Sequence, residues 1–354
     1  MARSVPNPGS FSTTINNPFL TLRPGTTFVY ENKSFGDVDT FVVTHRTKVI
    51  DGVTCVAVHD SDRINGALIE DTIDWFAQDD QGNVWYFGEN SHQYEPGNPQ
   101  PVGHAGSWKA GVNGAHAGIA MEAHPQVGDH YKQEDAPGIA EDRGAVVSLD
   151  ALVSVVYGAF EGALKTADTS AIAPGIEHKY YVEGVGNVLT TSPDGDFEAL
   201  TRIIVDGTAG ADRLLSYAGG DHLNAGAGAD ALLGLAGNDT LRGGDGSDSA
   251  FGGDGFDRIG GGAGSDTLTG GAGGDVFVFR ALHDGQADVD TVTDYRSDEI
   301  DALDLVGGVN AVASDALVGG VWELTLKGDG DVIRLPGVAD EDGNGHILDN
   351  LLFA

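Results

Sequence analysis

The feature that most restricts what this chain can fold into is a strict nine-residue period in its last third. From Asp212 an aspartate recurs at every ninth position: Asp212, Asp221, Asp230, Asp239, Asp248, Asp257, Asp266 and Asp275. A glycine stands two places before each, from Gly210 to Gly273. An apolar residue stands two places after each: Leu214, Leu223, Leu232, Leu241, Ala250, Ile259, Leu268 and Phe277. A flexible glycine-rich linker needs neither the period nor an apolar residue in phase with it.

The residue types dictate one unit. The Gly-x-Gly-x-Asp half turns tightly, which calls for glycine, and brings backbone carbonyls inward. The x-apolar-x half is a short strand with only its middle side chain in the core. Two units then make one coil, and the aspartates stack one coil apart, about 4.8 Å by sheet spacing. Carboxylates that close repel unless a cation lies between them. Ca²⁺ suits them, because it accepts six to eight carboxylate and carbonyl oxygens in flexible geometry, whereas Mg²⁺ holds a tight octahedron and keeps its waters.

The array resembles the RTX (repeats-in-toxin, hemolysin-type calcium-binding) nonapeptide GGxGxDxUx, best in GGDGSDSAF (243–251), GGDGFDRIG (252–260), GGAGSDTLT (261–269) and GGAGGDVFV (270–278). The resemblance implies several Ca²⁺ ions between successive coils of a right-handed parallel β-roll, held by Asp carboxylates and turn carbonyls. The implied site residues are the eight aspartates with Gly228, Gly237, Gly243, Gly246, Gly252, Gly255, Gly261 and Gly264. The first four units depart from the leading Gly pair: they carry Gly207–Thr208, Ser216–Tyr217, Ala225–Gly226 and Gly234–Leu235. Asp230 to Asp266 therefore form the expected heart of the array.

The net charge of −35, from 54 acids against 19 bases, fits such a load of cations. It argues against nucleic acid and against insertion into anionic membranes. No stretch reaches the roughly 18 apolar residues of a spanning helix. Cys55 is the single cysteine, so there is neither an internal disulfide nor a Cys cluster for zinc.

After the array, VFVFR and DTVTDYRSDEIDALDLVG resemble the segment that caps such rolls in secreted proteases and lipases. Strands at Val321–Lys327 and Asp331–Leu335 would continue it. The ending ILDNLLFA resembles an uncleaved C-terminal secretion signal, and the N-terminal stretch shows no apolar signal region. These imply the type I secretion machinery as partner and a secreted, extracellular bacterial protein. Cytosolic calcium is too low to neutralise the stacked aspartates, so folding is expected to follow export. Asp340 to Gly345 matches the start of an EF-hand loop, but its position 12 is Leu351 instead of Glu.

Residues 1–200 read differently. Alternating runs such as Thr40–Val49, Thr54–His59, Thr72–Ala77 and Asn83–Gly88 are separated by turn signals, Asp51-Gly52 above all. They predict an antiparallel β-barrel or half-barrel, lipocalin-like, within an all-β chain. NPFLTLRPGTTFVYE (17–31), VTHRTKVIDGVTCVAVHD (43–60), EDTIDWFAQDDQGNVWYFGE (70–89) and EHKYYVEGVGNV (177–188) resemble a family of bacterial exported β-rich domains that brings no activity with it. The expected domains are 1–200, 206–280 for the roll, and 281–354 for cap and signal.

His45, sharing a face with Phe41, Val43 and Val49, should point inward, as should His178 beside Tyr180 and Val182. With His59, Asp74 and Glu89 they could hold a transition metal or supply a general base. Equally, they could be hydrogen-bonded core residues. His92, His104, His116, His124 and His130 read as loop or lid residues, and Asp129 to Asp142 as acidic loop surface. HExxH, GxSxG and P-loop motifs are absent. The leading expectation is a secreted calcium-binding protein whose N-terminal barrel binds a small-molecule or polymer ligand or a surface. The alternative is a secreted lyase or hydrolase with its site in the barrel. A pore-forming toxin is disfavoured for want of an insertable helix.

Overall fold

The computed structural model describes residues 5–32, 36–172, 174–280, 287–296, 299–305, 312–327, 330–338, 347 and 351. The acidic 340–345 loop and most of the ILDNLLFA ending lie outside them. The described residues form an all-β structure with no α-helix, so none long and apolar enough to cross a membrane. The chain divides into two compact units, Met1–Ile203 and Ile204–Ala354.

The first unit is antiparallel throughout, built from β1 (Thr26–Asn32), β2 (Asp37–Ile50), β3 (Val53–Ile64), β4 (Ala67–Asp79) and β5 (Val84–Gln93). Then come β6 (His116–Met121), β7 (His130–Lys132), β8 (Glu134–Asp135), β9 (Asp142–Ser154), β10 (Ala159–Ser170), β11 (Glu177–Val182), β12 (Gly186–Thr191) and β13 (Phe197–Asp206). Consecutive strands from β1 to β5 pair as hairpins, β5 pairs with β6, and β6 with β8. The interrupted run β7–β8 joins β9 on its other side, and the meander continues to β13. Finally β13 pairs with β1 and the sheet closes into a barrel. Closure removes the sheet edges that an open meander would leave. The Asp51-Gly52 turn sits where the residues require it, with both φ angles positive, 46° and 82°.

A chain of aromatic rings crosses the inner wall. Phe28 meets Phe41 at 6.4 Å between centroids, Phe41 meets Phe76 at 6.3 Å, and Phe76 stacks on Tyr86 at 4.9 Å.

The second unit is a parallel solenoid whose coils repeat every 18 residues. On one wall Leu223, Leu241, Ile259, Phe277 and Leu303 lie in register. On the other, Leu214, Leu232, Ala250, Leu268 and Val292 do the same. All ten are at most 4% exposed, so the apolar phase of the repeat is the core. The wall ends in the strands Val332–Pro336, Val321–Leu326 and Val312–Val318, the last two antiparallel. They bury Trp322, Leu324, Ile333 and Leu335 over the last coil.

Candidate functional site

The roll holds its aspartates in one arrangement. The Oδ1 of each accepts the backbone N–H of the aspartate one coil earlier: Asp230 from Asp212, Asp239 from Asp221, Asp248 from Asp230, Asp257 from Asp239, Asp266 from Asp248, and Asp275 from Asp257, at 2.7–2.9 Å. The Oδ2 atoms of Asp230, Asp239, Asp248, Asp257, Asp266 and Asp275 are buried and accept no hydrogen bond. An ionised oxygen left so costs more than the roughly 1–3 kcal/mol of an unmet neutral acceptor. Burial, assisted by neighbouring aspartates, pushes Asp239 and Asp266 up to about 8, against the lowering effect of the capping N–H.

The glycines explain where that oxygen points. A Cβ on Gly234 would fall on both Asp239 Oδ2 and the Gly252 carbonyl oxygen, one coil on. The same holds for Gly243 with Asp248 and Gly261, and for Gly252 with Asp257 and Gly270. At each of these turns an unmet carboxylate oxygen and a carbonyl oxygen converge on space that only glycine leaves open. An all-oxygen set that mixes carboxylate and carbonyl fits Ca²⁺. In the first two turns protein donors already occupy the corresponding oxygen: Thr208 N and Oγ1 for Asp212, and Tyr217 N for Asp221, at 2.6–2.8 Å.

The ladder runs beyond the nine-residue period. Asp290 Oδ1 caps the Asp266 N–H and Asp301 Oδ1 caps the Asp275 N–H, both at 3.0 Å. Sequence reasoning missed these two. The surviving signal was the Asp-x-apolar triplet in Asp290–Val292 and Asp301–Leu303.

The five candidates in the barrel separate. Asp74 and Glu89 come together: the buried Tyr86 hydroxyl lies 2.6 Å from Asp74 Oδ1 and 3.0 Å from Glu89 Oε2. Tyr86 and Glu89 share a face because the strand bulges between them, where Gly88 takes φ 119° against the Trp108 carbonyl. His45 points out to solvent instead of inward, and Val49 is 65% exposed. The cause is a register shift between Val43 and Thr47, where Thr44 Oγ1 bonds the Ala57 carbonyl at 2.6 Å and breaks the alternation. His59 stands half-exposed, paired with Asp71. His178 faces away from the lumen, because Glu177, Lys179 and Tyr181 are the inward residues of β11. Nor is 91–142 wholly loop: His92, His116 and His130 lie on β5, β6 and β7, and Glu134 on β8 faces inward. Among the described residues no group of three or more His, Cys, Asp or Glu is placed to hold a metal ion. The transition-metal expectation therefore has no site among the described residues.

What the barrel encloses is a cavity of about 380 Å³. Asp39, Asp60, Glu134, Asp142, Glu177 and Glu198 line it, with Lys179 as the lone basic group. Lys179 is engaged by Asp168 at 3.4 Å and Glu177 at 3.2 Å. Burial and mutual repulsion lift Asp39 to about 9 and Glu198 to about 7; burial also lifts Glu89 to about 7, and raises Asp60, Asp74 and Glu134. Between roughly pH 4 and those values the folded barrel holds more protons than the unfolded chain. Stability must then fall as pH rises through that window. In a Trp322→Phe background, urea midpoints read from Trp75, Trp85 and Trp108 should be higher at pH 5 than at pH 8. A midpoint that rises with pH would contradict the buried-carboxyl assignment.

Residues 206–241 and 242–277 match the model of the RTX calcium-binding nonapeptide repeat, so this segment is a calcium-binding array. No curated protein matches the chain. Among solved structures, the AlgE6R3 subunit of the Azotobacter vinelandii mannuronan C5-epimerase is 26% identical, over 42% of this chain and 81% of that one, with a TM-score of 0.26. The extracellular lipase LipA of Serratia marcescens is 20% identical, over 58% of this chain and 31% of that one, with a TM-score of 0.22. Likeness this distant carries neither activity nor substrate to this chain.

Proposed function

From an RTX calcium-binding array in residues 206–277, we propose that this is an exported extracellular protein whose roll folds on calcium and carries a ligand-binding barrel. The single observation behind the first half is the set of buried Oδ2 atoms without a donor. Asp239, Asp248, Asp257, Asp266 and Asp275 would hold Ca²⁺ with turn carbonyls such as those of Gly252, Gly261 and Gly270. The ion would supply the positive charge that the stacked carboxylates lack, and so convert binding free energy into folding free energy. A chain unable to fold at cytosolic calcium suits passage through the type I secretion machinery.

The test is a pair of variants, each measured with and without calcium. Asp257→Asn removes a proposed ligand and also a buried, uncompensated charge. It should need more calcium than the parent to fold its roll and melt lower in excess calcium, while in chelator both rolls stay unfolded. Asp221→Asn, whose Oδ2 already has a protein donor, should show the smaller calcium effect. Identical calcium responses from the two variants would remove the basis for these ligands.

The Asp74–Tyr86–Glu89 constellation supports a second reading, a secreted enzyme of lyase or hydrolase type. A phenol between two carboxyls can pass a proton to or from a substrate in the lumen. On this reading Tyr86→Phe loses turnover by about 100-fold or more while the barrel stays folded. Undiminished turnover in that variant would take Tyr86 out of the chemistry.

A further inference from the structure

The lumen combines two properties that point to one ligand chemistry. Its inner wall carries carboxyls from several strands, and its one basic side chain is already held by two acids. Between the carboxyls runs the aromatic row of Phe28, Phe41, Phe76 and Tyr86. Asp39 Oδ1 is buried and accepts no hydrogen bond. An anion would meet only repulsion here. A bare divalent ion would gain nothing from the aromatic part of the wall, since the rings offer it no ligand. A cation with an organic body uses both surfaces, since ring faces attract a positive charge and also pack against methyl or methylene groups. The volume is that of a small-molecule site.

We propose that the barrel lumen binds an organic cation, an alkyl amine or quaternary ammonium, with its charge at Asp39, Asp60 and Glu198 and its hydrocarbon on Phe28, Phe41 and Phe76. This rests on the reading of the barrel as a ligand-binding unit and gives that ligand a class. Burial raises Asp39, Asp60 and Glu198 toward or above neutrality, so in the empty barrel they hold protons that the arriving charge displaces. Binding is therefore accompanied by proton release near neutral pH, which exposed surface acids would not give.

The experiment is titration calorimetry on the full, calcium-loaded chain at about 150 mM salt, where exposed pairs are screened. The probes are choline, spermidine and 3,3-dimethylbutanol, the last a neutral relative of choline in shape, with indole as a second neutral probe. One choline or spermidine per chain is expected, with heats that change between buffers of different ionisation enthalpy. Asp39→Asn and Phe41→Leu should each weaken binding at least tenfold. Asp39→Asn replaces a buried carboxyl that holds its proton in the empty barrel by a neutral isostere and so should fold, which circular dichroism verifies. Asp150→Asn, at an exposed acid, should leave binding unchanged. Binding that survives Asp39→Asn and Phe41→Leu is surface binding and overturns the inference. If 3,3-dimethylbutanol or indole binds and the cations do not, the cationic class falls while the ligand-binding barrel stands. If no probe binds, both readings fall.

Discussion

In excess chelator, backbone amides from Thr240 to Phe279 should exchange close to free-chain rates, while those of β1 to β5 keep their protection. The roll stacks buried aspartates whose Oδ2 atoms meet no donor. Asp221, Asp239, Asp248, Asp257, Asp266 and Asp275 are all at most 3% exposed. Its apolar core is only two ladders thick, and one ladder carries Ala250 where its other positions carry Leu or Val. Each calcium site filled at 100 times its dissociation constant contributes about 2.7 kcal/mol to the folded state. Several sites together match the roughly 5–15 kcal/mol by which a whole domain is stable. Losing them should take the roll from folded to unfolded and leave the barrel, a separate compact unit, in place. Hydrogen exchange followed by mass spectrometry on the full chain, in calcium and in chelator, reads both regions at once. Equal protection of residues 240–279 in the two conditions would show that calcium does not hold the roll together.

The second large effect is expected from a single methyl group. Gly246 has φ 135°, and a Cβ there would overlap the carbonyl oxygen of Gly228 one coil earlier. Neither partner can give way, because both are backbone: Gly246 N–H bonds the Ala263 carbonyl at 2.7 Å and Gly228 N–H the Asp245 carbonyl at 2.8 Å. Gly246→Ala should cost about 4 kcal/mol or more, combining an unfavourable backbone region with a steric clash. Gly184 is the control. It has φ 78°, and nothing lies within 4 Å of its added Cβ. Gly184→Ala should cost only about 1–2 kcal/mol, the backbone part alone. The checks are the calcium concentration at which the Gly246→Ala roll folds and the urea midpoint of the Gly184→Ala barrel. A Gly246→Ala chain that folds at the parent's concentration would mean that the coils are not packed backbone to backbone at that turn.

The roll was legible because its signals are local and repeated. Each unit states its own turn, strand and inward side chain, and register follows from the period. The barrel was legible as a meander, since Asp51-Gly52 and the alternating runs mark hairpins, but its interior was not. Strand reading assigns charged residues to the outer face. Here Asp39 shares the face of Phe41, and Asp60 that of Val58, so the alternation itself placed acids inside. His45 went wrong for another reason: it lies in the irregular stretch between Val43 and Thr47, where pairing with the neighbouring strand lapses, and nothing in VTHRTKV marks it. On β11 both faces carry a tyrosine, so hydrophobicity could not choose between them. Lys179, engaged by two acids, is the residue that turned inward. Asp74 and Glu89 were both named from the sequence, but the bulge at Gly88 that aligns Glu89 with Tyr86 lies against the Trp108 backbone, far along the chain.

The aspartate caps give the roll a direction. Every coil receives its carboxylate from the coil after it and passes its own to the coil before. The two ends are therefore chemically unequal, like those of a polar filament. Coils removed from the Asp212 end take away receivers and leave every remaining N–H capped. Coils removed from the Asp301 end strip caps from turns that stay behind. An array built this way tolerates being shortened at one end and frays at the other, so growth and loss of repeats over evolution should be recorded near Asp212.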